Sequence, residues 1–181
     1  EMGTAGLFVQ DQIALTDRWS LLAGARLDWV TVDTTDPLPR TGFSPTGDSL
    51  HTLLPSGSLS LVFKPAADST AYVTVNHAAA VEGSSSSGGF GMTNNALREE
   101  TFENSSVLVE AGGKVALWEN RFFAGAALYH QKRNRQNVRF NLPDEIEVSG
   151  FELEALYQPT PRLNAGANYT YSHAAYQNGP L

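Results

Sequence analysis

The sequence lacks both cysteine and long apolar runs. No cysteine occurs among its 181 residues, which excludes disulfide scaffolds, thiolate-bound zinc and thiol catalysis. No run of about 18 apolar residues occurs either, so the sequence predicts no transmembrane helix. The net charge of −7, from 12 Lys and Arg against 19 Asp and Glu, argues against a nucleic-acid partner, which would require a basic face. The sequence does not exclude transmembrane β-strands, because each strand needs only about 10 residues and half of these can be polar.

Motifs for catalysis and for metal binding are also missing. The four histidines, His51, His77, His130 and His173, are far apart, and no pair has the spacing of a metal-binding motif. There is no Walker A sequence and no GxSxG elbow. The glycine-rich stretch at 88–91 follows a serine run and opens no helix, as a phosphate site would require. The sequence therefore predicts no enzyme, no metal site and no cofactor.

What the chain does contain is a regular alternation over WSLLAGARLDWVT, residues 19–31. One alternate set is wholly apolar and has Trp19 and Trp29 at its ends, whereas the other set carries Arg26 and Asp28. A period of two indicates a β-strand rather than a helix. The ten residues that separate the tryptophans extend over about 33 Å, which a tilt of about 40° projects to about 25 Å. That is the height of the apolar band on an outer-membrane barrel.

Seven further segments have a similar length and mostly a similar alternation. The predicted strands are 5–14, 19–31, 52–64, 69–77, 106–118, 122–134, 148–157 and 162–173. In 122–134 both alternate sets are mostly apolar, so the sequence does not assign its faces. Connections of three or four residues alternate with long ones at 33–50, 80–104 and 135–146. This pattern predicts an all-β, antiparallel, up-and-down transmembrane β-barrel segment of about eight long strands, with short periplasmic turns and long extracellular loops.

Aromatic residues collect at both ends of these segments. Those beside the short turns are Trp19, Phe63, Trp118, Phe122 and Tyr157, and those toward the long loops are Trp29, Tyr129, Tyr169 and Tyr171. Two such girdles are typical of a membrane barrel. A soluble barrel is the alternative, but it would need a large apolar interior. The second face here is instead rich in Ser, Asn, Thr, Gly and charged residues.

Two groups of residues are candidates for recognition. The first consists of charged residues on the polar face, which would pair with each other as an internal lattice or contact whatever fills the lumen: Arg26, Asp28, Glu110, Lys114, Glu152 and Glu154. The second consists of residues expected on the long loops, where ligands are commonly bound: Phe90, Met92, Asn94, Asn95, Arg133, Arg135 and Arg139. The three arginines would bind an anionic ligand, hold lipopolysaccharide phosphates or pair with Asp144, Glu145 and Glu147.

The order of these elements resembles the barrel of TonB-dependent outer-membrane receptors of the siderophore-receptor type. The first strand pair, GLFVQDQIALTDRWSLLAGARLDW, is similar to the family's aromatic-x-Gln-Asp strand, short turn and Gly-x-Arg-x-Asp strand, at Phe8, Gln10, Asp11, Gly24, Arg26 and Asp28. LREETFENSSVLVEAGGKVAL is similar to the family's later Leu-x-x-Glu and Glu-x-Gly-x-Lys pattern, at Leu97, Glu100, Glu110, Gly112 and Lys114. PSGSLSLVFKPAADSTAYVTVNHA, RFFAGAALYHQKRNRQN and SGFELEALYQPTPRLNAGANYTYS extend the resemblance over nearly the whole chain.

The resemblance implies a barrel of about 22 strands closed by an N-terminal plug, with uptake driven by the inner-membrane TonB complex. Residues 1–181 are then expected to form part of the barrel domain, without the plug and the C-terminal strand. The implied cargo is a ferric siderophore, although relatives take cobalamin, haem or saccharides. The implied partners are the plug, the TonB complex, outer-membrane lipid and lipopolysaccharide, in the outer membrane of a Gram-negative-type bacterium.

A small passive pore or structural barrel of eight strands is the alternative from another class. It requires the first and last strands to close a ring, so that residues 7–14 pair with residues 163–172. A soluble ligand-binding barrel is a third hypothesis, which solubility as a monomer without detergent would favour.

Overall fold

A computed structural model describes residues 1–35, 47–81, 103–137 and 142–177, and its regular structure consists of β-strands. The eight strands are β1 (Met2–Ala14), β2 (Trp19–Thr35), β3 (Gly47–Ala66), β4 (Ser69–Val81), β5 (Glu103–Leu117), β6 (Phe122–Asn137), β7 (Leu142–Thr160) and β8 (Leu163–Tyr176). All eight predicted segments are confirmed as strands. The described residues contain no helix that is long and apolar enough to span a membrane.

The strands continue further toward the long connections than the sequence predicts. The predicted loop at 135–146 is wrong over most of its length, because β6 runs to Asn137 and β7 begins at Leu142. These extensions, RQN in β6 and LPDEI in β7, lack the apolar alternation from which a strand is recognised. They form strands because each residue of β6 from Phe122 to Asn137 has a partner in β7.

The sheet is an antiparallel meander in which each strand pairs with the next along the chain, in the order β1 to β8. β1 pairs with β2 and β8 pairs with β7, and these two edge strands do not pair with each other. The sheet of the described residues is therefore open. The closed eight-stranded ring that the passive-pore hypothesis requires is not formed.

The register assigns a face to every strand, because directly paired residues of neighbouring strands point to the same side of a sheet. We call the side of Trp19 the apolar face. One row of it runs across seven strands, through Trp19, Phe63, Ala71, Gly113, Ala126, Leu153 and Tyr169. The opposite side is the polar face. In β6, which the sequence leaves unassigned, the register places the even-numbered residues Phe122 to Leu128 on the apolar face.

The apolar face exposes large side chains instead of burying them. Leu7 is 82 % exposed, Leu128 is 65 % exposed and Leu27 is 46 % exposed. A continuous exposed apolar surface of this kind is typical of contact with lipid or with another protein rather than with water.

Aromatic clusters lie at both ends of the apolar face. Beside the short turns, the Trp19 and Phe63 rings stack at 4.4 Å, and Trp118 packs against Phe122 at 5.2 Å and Tyr157 at 5.8 Å. Toward the other end, Phe151 packs against Tyr169 and Tyr171, each at 5.7 Å between centroids. The predicted place of Tyr129 in the outer girdle is wrong, because the β6 register turns this residue to the polar face.

Tyr129 and Tyr72 instead cover glycines on neighbouring strands of the polar face. Tyr129 is paired directly with Gly150, and a Cβ at position 150 would lie 2.6 Å from the Tyr129 Cζ atom. Tyr72 is paired with Gly112, and a Cβ there would lie 2.7 Å from the Tyr72 Cζ atom. Each aromatic ring therefore occupies the space that a side chain on the facing strand would need, which restores packing at a glycine position.

The sheet divides at its outer end, between β3 and β4. Their pairing stops at Gly57 and His77, although β3 continues in register with β2 and β4 continues in register with β5. Beyond that point Ala79 and Val81, on the apolar side of β4, pack against a cluster on the polar side of β2 and β3 that consists of Val30, Val32 and Leu54. The end of the β4–β5 hairpin therefore lies over the polar face of its neighbours. We call this overlap the seam.

Side-chain contacts replace the missing backbone pairing along the seam. The Ala79 N–H donates to Ser56 Oγ at 3.2 Å, and the Thr52 hydroxyl donates to the Glu103 carboxylate. Val30, Val32 and Leu54 are at most 4 % exposed, and they are the most deeply buried apolar side chains in the described part of the chain. The seam is thus the nearest feature to a conventional core in these eight strands.

Candidate functional site

The six charged residues predicted for the polar face all lie on that face. The register places them there through direct pairs such as Arg26 with Ser56, Glu110 with Thr74 and Glu152 with Ala127. Two separate groups result. Arg26 and Asp28 lie on β2, whereas Glu110, Lys114, Glu152 and Glu154 lie together on β5 and β7.

Arg26 and Asp28 form a two-contact ion pair within β2. The Arg26 Nε and Nη2 atoms donate to Asp28 Oδ2 and Oδ1, each at 2.6 Å. Gly6 of β1 is the direct partner of Asp28, and a Cβ at position 6 would lie 2.7 Å from Arg26 Nη2. Because residue 6 is a glycine, the Arg26 and Asp28 side chains can occupy the space above β1 at that position. The pair is unequally exposed, since the Arg26 side chain is 51 % accessible and that of Asp28 is 14 % accessible.

The second group is an acidic cluster made of Glu110, Glu152, Glu154 and the single base Lys114. Together with Tyr72 these residues line a small cavity of about 110 Å³. The Tyr72 hydroxyl donates to Glu110 Oε1 at 2.6 Å. Lys114 forms no ion pair within 4 Å with any of the three glutamates. The predicted internal lattice is therefore limited here, and three carboxylates face one ammonium group.

A larger cavity of about 410 Å³ lies on β1 to β4, where the pairing of β3 with β4 ends. We call it the donor cavity. The polar-face side chains that line it are Phe8, Gln10, Arg26, Ser56, Ser58 and Asn76. No Asp or Glu is among its lining residues in the described ranges. This cavity was not predicted, because single amides and hydroxyls on three different strands form no motif in the sequence.

The candidates expected on loops are only partly within the structure. Phe90, Met92, Asn94, Asn95 and Arg139 lie outside the described residues. Arg133 lies on β6 rather than on a loop, and it faces the polar side between Ser106 and Ile146. The backbone of Arg135 belongs to β6, and its side chain is outside the part described.

Lys132, rather than an arginine, makes the ion pairs with the nearby glutamates. Its Nζ lies 2.5 Å from Glu147 and 3.3 Å from Glu145, and Gln177 donates to Glu147 at 2.9 Å. Hydrogen bonds to Glu147 and then to Glu145 raise the pKa of Lys132, and the hydrogen bond from Lys132 lowers the pKa of Glu147. This group lies beyond the aromatic residues Phe151 and Tyr171, at the outer end of the apolar face. Lys132 and Glu147 share a face because they are paired directly in the register of β6 and β7.

In the residues that the structure describes, no three His, Asp or Glu side chains are grouped so that they could hold an ion. The register places all four histidines on the apolar face, and His130 Nδ1 lies 2.8 Å from Ser149 Oγ.

The sequence profile described as TonB dependent receptor-like, beta-barrel matches residues 1–181. The chain belongs to this family. Its members are outer-membrane proteins of Gram-negative bacteria, in which the barrel acts with a plug domain and with TonB. In transmembrane barrels the apolar side faces lipid and the polar side lines the lumen, and the two faces of this sheet have the character of those two sides. No curated protein sequence matches the chain.

Solved structures of siderophore receptors share the fold. The siderophore receptor PiuA from Acinetobacter baumannii superposes with a TM-score of 0.78 at 20 % identity, over 96 % of this chain and 25 % of that one. The ferric-catecholate import receptor Fiu from E. coli K12, in its closed form, gives 0.75 at 18 % identity, over 98 % of this chain and 28 % of that one. The ferric yersiniabactin uptake receptor FyuA from Yersinia pestis gives 0.75 at 18 % identity, over 98 % and 27 %.

The chain therefore spans about a quarter of the length of these structures. At identities of 20 % or less, the likeness shows a common fold and does not carry a ligand from one protein to another.

Proposed function

We propose that these eight strands form part of the wall of an outer-membrane receptor that imports a ferric siderophore with energy from the TonB complex, without covalent chemistry. The observation that carries the proposal is the division of the sheet into an exposed apolar face and a charged, cavity-bearing polar face. A wall with this division separates lipid from a polar lumen. The family and the names of its structural neighbours support iron uptake as the activity.

The acidic cluster is our candidate for the contact with the plug. Three carboxylates and one ammonium group on the lumen side leave an excess of negative charge, which complements arginine or lysine side chains of a plug. Tyr72 holds Glu110 in place, so the carboxylate is oriented before a partner arrives. Asp28, whose two oxygens both accept from Arg26, is a poorer candidate for a charged plug contact than the sequence suggested.

The plug contact is tested by neutralising two members of the cluster in the full-length receptor. Glu110→Gln with Glu152→Gln is expected to increase proteolysis of the plug while the barrel stays resistant to sodium dodecyl sulfate at room temperature. The matched control is Glu119→Gln, since the Glu119 side chain is 89 % exposed in a short turn. Equal proteolysis in the wild type, the double variant and the control would remove the cluster from the plug interface.

Lipid and lipopolysaccharide are the proposed partners of the outer side. The exposed aromatic clusters at the two ends of the apolar face support this proposal, because tyrosine and tryptophan rings favour membrane–water interfaces. Lys132 and its two glutamates lie just beyond the outer cluster, at the level expected for head groups.

Uptake is tested in a Gram-negative host that lacks its own siderophore receptors and expresses the full-length receptor. Cells are given ⁵⁵Fe as hydroxamate, catecholate and carboxylate chelates, beside labelled cobalamin and maltodextrin, with and without TonB. The proposal expects TonB-dependent accumulation of iron from at least one chelate. Accumulation of cobalamin or saccharide alone keeps a TonB-dependent receptor but contradicts a siderophore as cargo, and uptake that does not need TonB contradicts the mechanism.

A further inference from the structure

The donor cavity faces the lumen and has a polarity opposite to that of the acidic cluster. Its lining combines the Arg26 guanidinium with the amides of Gln10 and Asn76 and the hydroxyls of Ser56 and Ser58. Every one of these groups can donate a hydrogen bond. No free carboxylate competes for them among the lining residues that are described.

The Arg26–Asp28 pair presents its positive end to the lumen. Both oxygens of Asp28 are occupied by Arg26, and the Asp28 side chain is only 14 % accessible. The Arg26 side chain is 51 % accessible, and its Nη1 atom takes no part in the pair. The Asp28 carboxylate therefore holds one edge of the Arg26 guanidinium. The other edge can donate to an oxygen atom of a ligand. An arginine that is already oriented loses less side-chain entropy when it binds an anion.

The cavity has the size of a ligand subsite. Its volume of about 410 Å³ lies within the usual range of small-molecule sites, about 300–1,000 Å³. It suits one arm of a chelate better than a whole ferric complex. Gly24 contributes to the depth of the cavity, because a Cβ there would lie 3.1 Å from Ser58 Oγ. The Phe8 side chain, 74 % exposed at the rim, offers an apolar surface to the carbon atoms of such an arm.

We propose that the donor cavity binds a carboxylate arm of the transported ligand, so that the cargo is an iron chelate whose ligand groups are carboxylates. This inference rests on the proposed function and names its substrate class. Uncoordinated carboxylate oxygens accept several hydrogen bonds at once, which matches a cavity that offers several donors and one exposed cation and has no carboxylate among its lining residues. A neutral hydroxamate chelate would leave the guanidinium edge without an anion.

The test adds one negative charge to the cavity in the full-length receptor. Asn76→Asp places a carboxylate among the donors, and Asn168→Asp makes the same change on the lumen side of β8, opposite Glu154 and outside the cavity. Gln10→Leu removes one donor without any charge, in case Asn76→Asp does not fold. Equilibrium binding is measured with ⁵⁵Fe-citrate as the carboxylate probe, ferrichrome as the neutral hydroxamate and ferric enterobactin as an anionic catecholate.

We expect Asn76→Asp to weaken ferric citrate binding at least about tenfold, Gln10→Leu to weaken it by less, and Asn168→Asp to leave it unchanged. Equal effects of the two Asn→Asp variants, or no effect of either, overturn the cavity as the site. A receptor that binds ferrichrome or ferric enterobactin but not ferric citrate overturns the carboxylate assignment and leaves siderophore uptake in place. A folded receptor that binds none of the three chelates contradicts the inference and also counts against the proposed function.

Discussion

Gly6 of β1 lies directly opposite Asp28 of β2, and the Arg26–Asp28 ion pair fills the space where a side chain of residue 6 would be. The glycine, the arginine and the aspartate therefore act as one unit, although they come from two strands. This relationship gives the first testable expectation, because a single methyl group at position 6 must displace the pair.

Gly6→Ala is expected to lower the thermal stability of the full-length receptor, because the new methyl group must displace the ion pair from the space that it fills. Heat-induced loss of the compact band in gel electrophoresis measures the change. The control is Gly125→Ala on the same face, where the nearest atom to a new Cβ is 3.7 Å away. Similar losses in the two variants would show that the Arg26–Asp28 pair does not depend on Gly6.

The cover of Gly150 by Tyr129 gives a second expectation. Gly150→Ala drives a Cβ into the ring, so we expect a loss of stability of about 1–3 kcal/mol. Tyr129→Ala alone also costs stability, because it uncovers the glycine. The double variant is expected to lose less than the sum of the two, since removal of the ring relieves its contact with the new methyl group, although the close approach of that group to the Tyr171 carbonyl oxygen remains. Additive losses in this double-mutant cycle would rule out direct packing between the two residues.

The seam gives a third expectation. Leu54 is 4 % exposed in its apolar cluster, so Leu54→Ala is expected to cost about 2–5 kcal/mol locally. Hydrogen exchange of the β4 amides from Ala78 to Val81 should become faster, whereas β6 and β7 should keep their protection. Leu59→Ala is the control, because Leu59 is 50 % exposed on the apolar face. Exchange that rises uniformly along all strands would mean that the seam does not open on its own.

The ion pairs of Lys132 are expected to make the stability of the receptor depend on pH. Lys132 and Glu147 lie beyond Phe151 and Tyr171, outside the part of β6 and β7 that is proposed to span the membrane. The pKa of Glu147 is lowered by the hydrogen bond from Lys132, so its contribution is present above its unfolded pKa and is lost as the pH falls through the folded value. The pKa of Lys132 is raised by its hydrogen bonds to the glutamates, so its contribution is lost only as the pH rises through that raised value.

Lys132→Gln is therefore expected to lower the thermal midpoint of the receptor at pH 7 and to have little effect at a pH below the lowered pKa of Glu147, where its carboxylate is protonated. Arg121→Gln is the control, because its ion pair with Glu119 is 4.0 Å long and exposed. A loss of the same size at both pH values would mean that Lys132 stabilises the strands through packing rather than through charge.

The sequence predicted the strands and the faces of most of them, because alternation is a local property that any single strand displays. It did not assign β6, where both alternate sets are apolar, and it placed Tyr129 on the wrong side. The register with β5 and β7 resolves both, and pairing between strands cannot be read from one strand. The seam could not be predicted for the same reason, because it depends on where β3 and β4 stop pairing.

The residues of the candidate site were also predicted only in part. Charged residues stand out in a sequence, and all six that were predicted for the polar face lie there. The donor cavity was missed because Gln10, Ser56 and Asn76 are ordinary polar residues on three strands, and only the fold brings them around Arg26. Pairing with Glu145 and Glu147 was one of the roles predicted for the arginines at 133, 135 and 139. Lys132 makes the observed ion pairs with these two glutamates.

The central claim is that one face of this sheet meets lipid and the other lines a polar lumen, and β6 tests it most sharply. Spin labels are placed one at a time at cysteines substituted for Ala126, Ala127, Leu128 and Tyr129 in the full-length receptor, reconstituted in a bilayer. We expect high accessibility to oxygen at 126 and 128 and low accessibility at 127 and 129. Accessibility without this alternation, or with the opposite phase, would contradict the account.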